Sequence, residues 1–423
     1  MHRMNAESNE FSTVMEEMGQ KARAAAAALA KLPGSERDAA LRETAAALRA
    51  AAPAILAANA QDMTNFNGSS AFGDRLLLNE VRLEAMAKGL EDVAGLPDPI
   101  ARTLAEWTRP NGLRIARVAQ PIGVLGMIYE SRPNVGADAS AIAIKSSNAI
   151  ILRGGSESFH SAQAIRKALA TGLKAAGLPE DTVQVPPSTD RRFVAAMLGA
   201  VGQIDLIIPR GGKTLVELVQ REARVPVLAH AEGLNHTYIH AAADPDMARK
   251  VLANAKMRRT GVCGSTETLL IDAAIAPALL PILVQDLATL GCTFKADERA
   301  REICPALPAA EAKDFDTEWL DAVLNIAVVD GPDAALAHVT AHGSEHTEAI
   351  ITQDEQVAET YLARSRASVT MWNTSTQFCD GGEFGFGAEI GIATGHIHAR
   401  GPVGPEQLTT FRYVVRGNGQ VRP

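Results

Sequence analysis

From Leu113 onwards, short apolar runs alternate with stretches of helical character, and that alternation leaves few folds open. Strands are predicted over 149–152, 182–185, 204–208 and 225–229, with helices over 156–176, 190–198 and 213–221 between them. Ser156 is the expected N-cap of the first of these helices. Apolar strands separated by helices of this length argue for a mostly parallel α/β sheet covered on both faces. The pattern then starts afresh. Strands are predicted over 236–241, 268–271, 325–329, 346–351 and 368–372, with helices over 246–258 and 278–290. A domain boundary is therefore placed near Gly233. A chain of 423 residues accommodates two or three domains.

The first hundred residues read differently. Segments 11–32, 36–60 and 75–90 are alanine-rich helices. Alanine favours the helix but grips a core poorly, so these helices decorate a domain and do not form one alone. Segment 113–130 is strand-rich, interrupted at Pro121 and Gly123. A last strand at 408–415 must pair with something: the early strand near Arg114, or another subunit.

Composition excludes several classes. Hydrophobic residues make up 47% of the chain, enough for a sizeable core. Acidic residues outnumber basic ones 49 to 41, which argues against a nucleic-acid-binding surface. No apolar run approaches the roughly 18 residues that span a bilayer, and nothing at the N-terminus reads as a signal peptide. The four cysteines, at 263, 292, 304 and 379, lack metal-ligand spacing. No HExxH pattern is present, so no metal is expected. A reducing cytoplasm is the expected location.

Three features have the makings of chemistry. Arg153-Gly154-Gly155-Ser156 and Arg210-Gly211-Gly212-Lys213 each lead from a strand into a helix, where glycines admit a ligand and a helix start favours an anion. Neither has the spacing of a dinucleotide fingerprint or P-loop, and a plain tight turn is the alternative. Cys263 stands in Thr260-Gly261-Val262-Cys263-Gly264-Ser265, flanked by glycines that open its sulfur to attack on a carbonyl. An inert buried cysteine is the alternative there. Asn134 follows an apolar strand, where its amide either donates to an oxyanion or caps a turn.

These strings together resemble the gamma-glutamyl phosphate reductases (glutamate-5-semialdehyde dehydrogenases) of the aldehyde dehydrogenase superfamily. The matching segments include 128–135, 151–157, 208–213, Asn254-Ala255-Lys256, Gly261-Val262-Cys263, Glu267-Thr268, Asp316-Thr317-Glu318, 343–350, 380–391, 398–402 and 413–417, nearly the whole chain. The resemblance implies a Rossmann-type NADP-binding domain over 1–232 with an oligomerisation hairpin about 102–119. It implies a catalytic domain over 233–375, then a return segment and an oligomerisation strand over 376–423. It implies NADPH-dependent reduction of L-glutamyl 5-phosphate to L-glutamate 5-semialdehyde through a cysteine thioester. Cys263 matches the nucleophile and Asn134 the oxyanion-binding asparagine. Arg153 falls near the adenosine ribose, where it would suit a 2′-phosphate. Ser156 joins the cofactor-binding set. Pro209, Arg210, Gly211 and Gly212 match the turn near the pyrophosphate, and Glu318 the glutamate on the nicotinamide ribose. A homodimer or dimer-based oligomer is implied, and a transient contact with the glutamate 5-kinase that supplies the acyl phosphate is compatible with it.

There are departures. His230 falls nearest the position of the glutamate base of hydrolytic aldehyde dehydrogenases, a loss that suits a thioester kept from water. Gly264 stands where asparagine is more usual and Thr214 where glycine is. Pro186-Pro187-Ser188 and Cys379 also depart from the common pattern. A related acylating aldehyde dehydrogenase with another substrate, or a non-catalytic scaffold on the same fold, remain the competing readings.

Overall fold

The computed structural model describes residues 2–130, 132–229 and 232–422, with side chains for all of these but 2–9, 70 and 71. It divides into two compact units. The first comprises Met1–Ala229, Gly385–Gly391 and Val403–Pro423, and the second His230–Phe384 and Ile392–Pro402.

The first unit is built on a parallel sheet of four strands, ordered Val183–Gln184, Ala149–Arg153, Val124–Tyr129, Leu206–Arg210. Ile150 and Ile151, Leu125 and Met127, and Leu206 and Ile207 are all buried, as expected of strands covered on both faces. The chain steps outward on one side of Val124–Tyr129 and then returns to its other side. That reversal opens a crevice at the carboxyl ends of the strands, where open α/β sheets bind their ligands. Helix Pro133–Lys145 follows the central strand and was not read from the sequence. Its alanines and isoleucines are buried almost all round, so it lacks the polar face that gives a helix its period.

Other elements differ from expectation for local reasons. The predicted helix over 36–60 is two, Gly34–Ala50 and Ala52–Asn65, because Pro53 cannot donate to the preceding turn and instead starts a new helix. The helix over 75–90 begins later, at Glu80–Ala94, capped by the Asn79 side chain accepting from the Arg82 N–H, and a separate short helix, Ser70–Leu76, precedes it. Ser156 is not an N-cap: it opens a single 3-10 turn, Ser156–Ser158, and the α-helix begins only at Phe159. The strand over 225–229 reduces to one bridge between Ile207 and Val227. Gly177, at φ +76°, ends helix Phe159–Ala175 in the left-handed conformation that glycine adopts without strain.

A separate antiparallel sheet in the first unit joins Thr103–Thr108, Arg114–Pro121 and Thr409–Arg416 in that order. The terminal strand therefore finds its partner within its own chain, with Tyr413 opposite Arg117. It still forms an edge, and Phe411, Tyr413 and Val415 on one face are exposed, beside Trp107.

The second unit holds six parallel strands in the order Val369–Trp372, Thr347–Ile351, Asn235–Ile239, Thr266–Asp272, Val323–Val329, Thr293–Ala296. Helices Pro245–Met257 and Ala276–Thr289 pack Leu252, Leu279, Leu280 and Leu283 onto Leu269, Ile271 and Ile326. Among the described residues, no helix is long and apolar enough to cross a membrane, and no cluster of three His, Cys, Asp or Glu side chains could hold a metal ion.

Candidate active site

In the first unit the singled-out residues gather at the carboxyl edge of the parallel sheet. Central strand Val124–Tyr129 ends at Glu130, whose N–H donates to the Arg210 carbonyl at 3.1 Å. The Glu130 carboxylate accepts from the Gly212 N–H at 2.7 Å, at the start of helix Lys213–Glu222. A Cβ on Gly211 would lie 2.7 Å from that carboxylate, so a larger residue there would push the Glu130 side chain aside. Pro209, Arg210, Gly211 and Gly212 thus form the turn at the reversal point of the sheet.

Asn134 does not stand on an open strand end. It occupies the first turn of helix Pro133–Lys145, and its Nδ2 donates to Asp138 Oδ2 at 3.1 Å, one turn on. An amide nitrogen carries two hydrogens, so this bond fixes the group's direction and leaves the second for another acceptor. Asp138 keeps a partly exposed edge. Burial of the rest pushes its carboxyl up to about 6, against the bond from Asn134.

Arg153, at the end of its strand, is only 8% exposed. Its Nη2 donates to the Thr189 carbonyl at 2.6 Å and its Nη1 to that of Gly154, while the buried Nε has no partner in the structure. Burial lowers its pKa from the usual arginine value. A desolvated guanidinium with an unanswered N–H suits an incoming anion, which fits these residues to a phosphate-bearing dinucleotide. Ser156 follows two residues after Gly154, in the 3-10 turn.

The second unit holds Cys263 in a turn between helix Pro245–Met257 and strand Thr266–Asp272. Cys263 is partly exposed. Burial pushes Cys292 up to about 11 and raises Cys304 as well, so neither is a ready thiolate. The Cys263 turn is held from below. Asn235, fully buried, donates through Nδ2 to the Cys263 carbonyl at 2.6 Å and the Ser265 carbonyl at 2.9 Å. Its Oδ1 accepts from the Thr347 N–H at 3.1 Å. A Cβ on Gly233 would lie 2.1 Å from the Cys263 carbonyl oxygen, so no other residue fits there. The Gly233 N–H in turn donates to Glu318 Oε1 at 2.9 Å, which brings Glu318 to the Cys263 turn. Beside Gly264 the carbonyl of Thr376 would meet a Cβ at 3.3 Å, a tight approach. His230 lies outside the described residues.

The Aldehyde dehydrogenase family profile matches residues 8–317. The gamma-glutamyl phosphate reductase of Acidiphilium cryptum is 70% identical over 403 residues, covering 95% of this chain and 96% of that protein. That of Gluconobacter oxydans is 65% identical over 416 residues, covering 98% of this chain and 97% of the relative. The chain belongs to the gamma-glutamyl phosphate reductases of the aldehyde dehydrogenase family. The crystal structure of the gamma-glutamyl phosphate reductase of Thermotoga maritima superposes with a TM-score of 0.94 at 40% identity, covering 97% of this chain and all of that one.

Within this gamma-glutamyl phosphate reductase fold, strings that carried only resemblance acquire positions. Lys256 and Glu267 form an ion pair at 2.8 Å, with side chains 0% and 2% exposed, on either side of the Cys263 turn. Burial pushes the Glu267 carboxyl up to about 7, with the Lys256 ammonium holding it back from rising further. Asn235 was missed altogether. Its signal in the sequence, a polar residue opening a strand, is too common to single out.

Proposed function

We propose that the chain catalyses NADPH-dependent reduction of L-glutamyl 5-phosphate to L-glutamate 5-semialdehyde with release of phosphate, the second step of proline synthesis from glutamate. The observation that carries this reading is the Cys263 turn: a partly exposed cysteine with its backbone held by Asn235, in a chain of this family. The Cys263 thiolate attacks the acyl-phosphate carbonyl, phosphate leaves, and a thioester forms. The Asn134 amide, aimed by Asp138, is the proposed donor to the carbonyl oxygen as negative charge develops there. The nicotinamide cofactor, when bound, supplies the hydride. The resulting thiohemiacetal oxygen expels Cys263 and leaves the aldehyde. Glu318 is the proposed partner of the nicotinamide ribose, and Pro209, Arg210, Gly211, Gly212 and Ser156 are the proposed lining of the pyrophosphate. The kinase that makes the unstable acyl phosphate is a candidate for transient contact.

The family fold binds NAD or NADP, and we assign the preference to NADP through Arg153. Guanidinium matches phosphate oxygens in charge and geometry. Arg153→Ala is expected to weaken NADPH binding by about tenfold or more, as for loss of a charged hydrogen bond, and NADH binding much less. Because Arg153 also holds the Thr189 carbonyl, some loss for both cofactors is expected. Equal losses in a titration with each cofactor would show that the arginine does not read the 2′-phosphate.

The second proposal is a dimer-based oligomer using the antiparallel sheet. Thr409–Arg416 presents an open edge and an exposed apolar face of Phe411, Tyr413 and Val415. Such a face and edge favour a second copy of the same sheet. Replacing Tyr413 and Val415 by glutamate is expected to shift the light-scattering mass towards the 44.7 kDa monomer. An unchanged oligomer would remove this strand from the interface.

A further inference from the structure

The buried pair Lys256–Glu267 brackets the turn that carries Cys263. Lys256 ends helix Pro245–Met257, and Glu267 stands in strand Thr266–Asp272. Glu267 Oε2 takes the Lys256 ammonium at 2.8 Å, while Oε1 accepts the backbone N–H of Leu320 at 3.3 Å. Leu320 lies two residues beyond Glu318 and holds a left-handed conformation, φ +52°, which a leucine adopts only when its surroundings impose it. Glu318 in turn accepts the Gly233 N–H, and Gly233 packs against the Cys263 carbonyl. These contacts close a ring from the nucleophile turn through the ion pair to the Glu318 segment and back.

We propose that Glu267, paired with Lys256, is a positioning residue that sets Cys263 and Glu318 in register with each other, acting through the Leu320 N–H. The roles of Cys263 and Glu318 are those proposed above, and the inference rests on them. A buried ion pair is a costly way to hold two elements together, since apolar replacements of similar volume are commonly as stable or more so. What an apolar pair cannot supply is an acceptor for the Leu320 N–H.

The test compares two neutral double variants of the full chain. Lys256→Met/Glu267→Gln keeps an acceptor at 267, whereas Lys256→Met/Glu267→Leu does not. The readouts are kcat and KM for NADPH, the alkylation rate of Cys263 by iodoacetamide, and Tm. The Gln variant is expected to stay within about threefold of wild type. The Leu variant is expected to raise KM for NADPH and slow Cys263 alkylation, each by about tenfold, at a Tm close to that of the Gln variant. If the Leu variant does not fold, Lys256→Met/Glu267→Thr replaces it with the same expectation, because threonine is too short to reach Leu320. Wild-type KM and alkylation in a folded variant without the acceptor would overturn the proposal. So would failure of both acceptor-free variants to fold, which would assign the pair to folding alone. Alkylation reads the thiol's setting whether or not it is the nucleophile. A Cys263→Ala enzyme that keeps its turnover, or Glu318→Ala with unchanged KM for NADPH, would therefore refute those assignments separately.

Discussion

Cys263→Ala is expected to lower turnover by at least about 10⁴-fold while leaving the chain folded, and Cys263→Ser to do nearly the same. The size of the loss follows from the chemistry. Without the sulfur no thioester forms, and a serine hydroxyl, with its far higher pKa, is a poor nucleophile at neutral pH. Retention of the fold follows from the packing. Cys263 is partly exposed and packs against the small cluster of Ala349, Val369, Met371, Cys379 and Ile392, from which alanine removes one sulfur atom. The backbone of the turn is held by Asn235 and Gly233, which the substitution leaves alone. Thermal unfolding within a few degrees of wild type, with turnover near background, is the expected pair of results. A folded variant with near-wild-type turnover would remove Cys263 from the mechanism.

Asn235→Ala is expected to damage both stability and activity. It leaves the Cys263 and Ser265 carbonyls and the Thr347 N–H without the Asn235 amide, the last two in a fully buried setting. Each buried polar group left unsatisfied costs about 1–3 kcal/mol, so a loss of about 3 kcal/mol or more is expected from the denaturant midpoint. Under conditions where the variant is folded, kcat is expected to fall by about 100-fold, because the turn carrying the thiol is no longer fixed. Asn235→Asp is the sharper comparison. It keeps the acceptor for Thr347 but replaces both donors with a negative charge facing two carbonyls. It is expected to be at least as damaging as alanine. An Asn235→Asp enzyme with wild-type stability would show that the two donor bonds do not hold the turn.

The sequence made the α/β architecture legible because strands such as Ala149–Arg153 and Val323–Val329 are nearly all apolar and alternate with helices. It hid helix Pro133–Lys145 for the same reason: a helix buried on all sides shows no amphipathic period. Pro53 and Asn79 were the punctuation that marks where two of the N-terminal helices start, and both belong to standard helix-start chemistry. At the site, the residues carried by resemblance fall at strand ends and turns, where local context alone could not separate chemistry from capping. Asn134 shows the difficulty. Its bond to Asp138 is both a helix-turn contact and the means of aiming an amide. The supports beneath the site, Asn235 and the Lys256–Glu267 pair, were not legible as such. Their partners are backbone groups and side chains from 11 to 112 positions away, and only the fold brings them together.

The central claim, an acyl-phosphate reductase working through Cys263, is tested most directly by running the reaction backwards. Purified enzyme is given glutamate 5-semialdehyde and NADP⁺, with and without inorganic phosphate, and NADPH formation is followed by absorbance. Sustained NADP⁺ reduction that requires phosphate, and that disappears in Cys263→Ala, is the predicted result. Reduction at the same rate without phosphate would mean that the thioester is released to water, and would contradict the assignment.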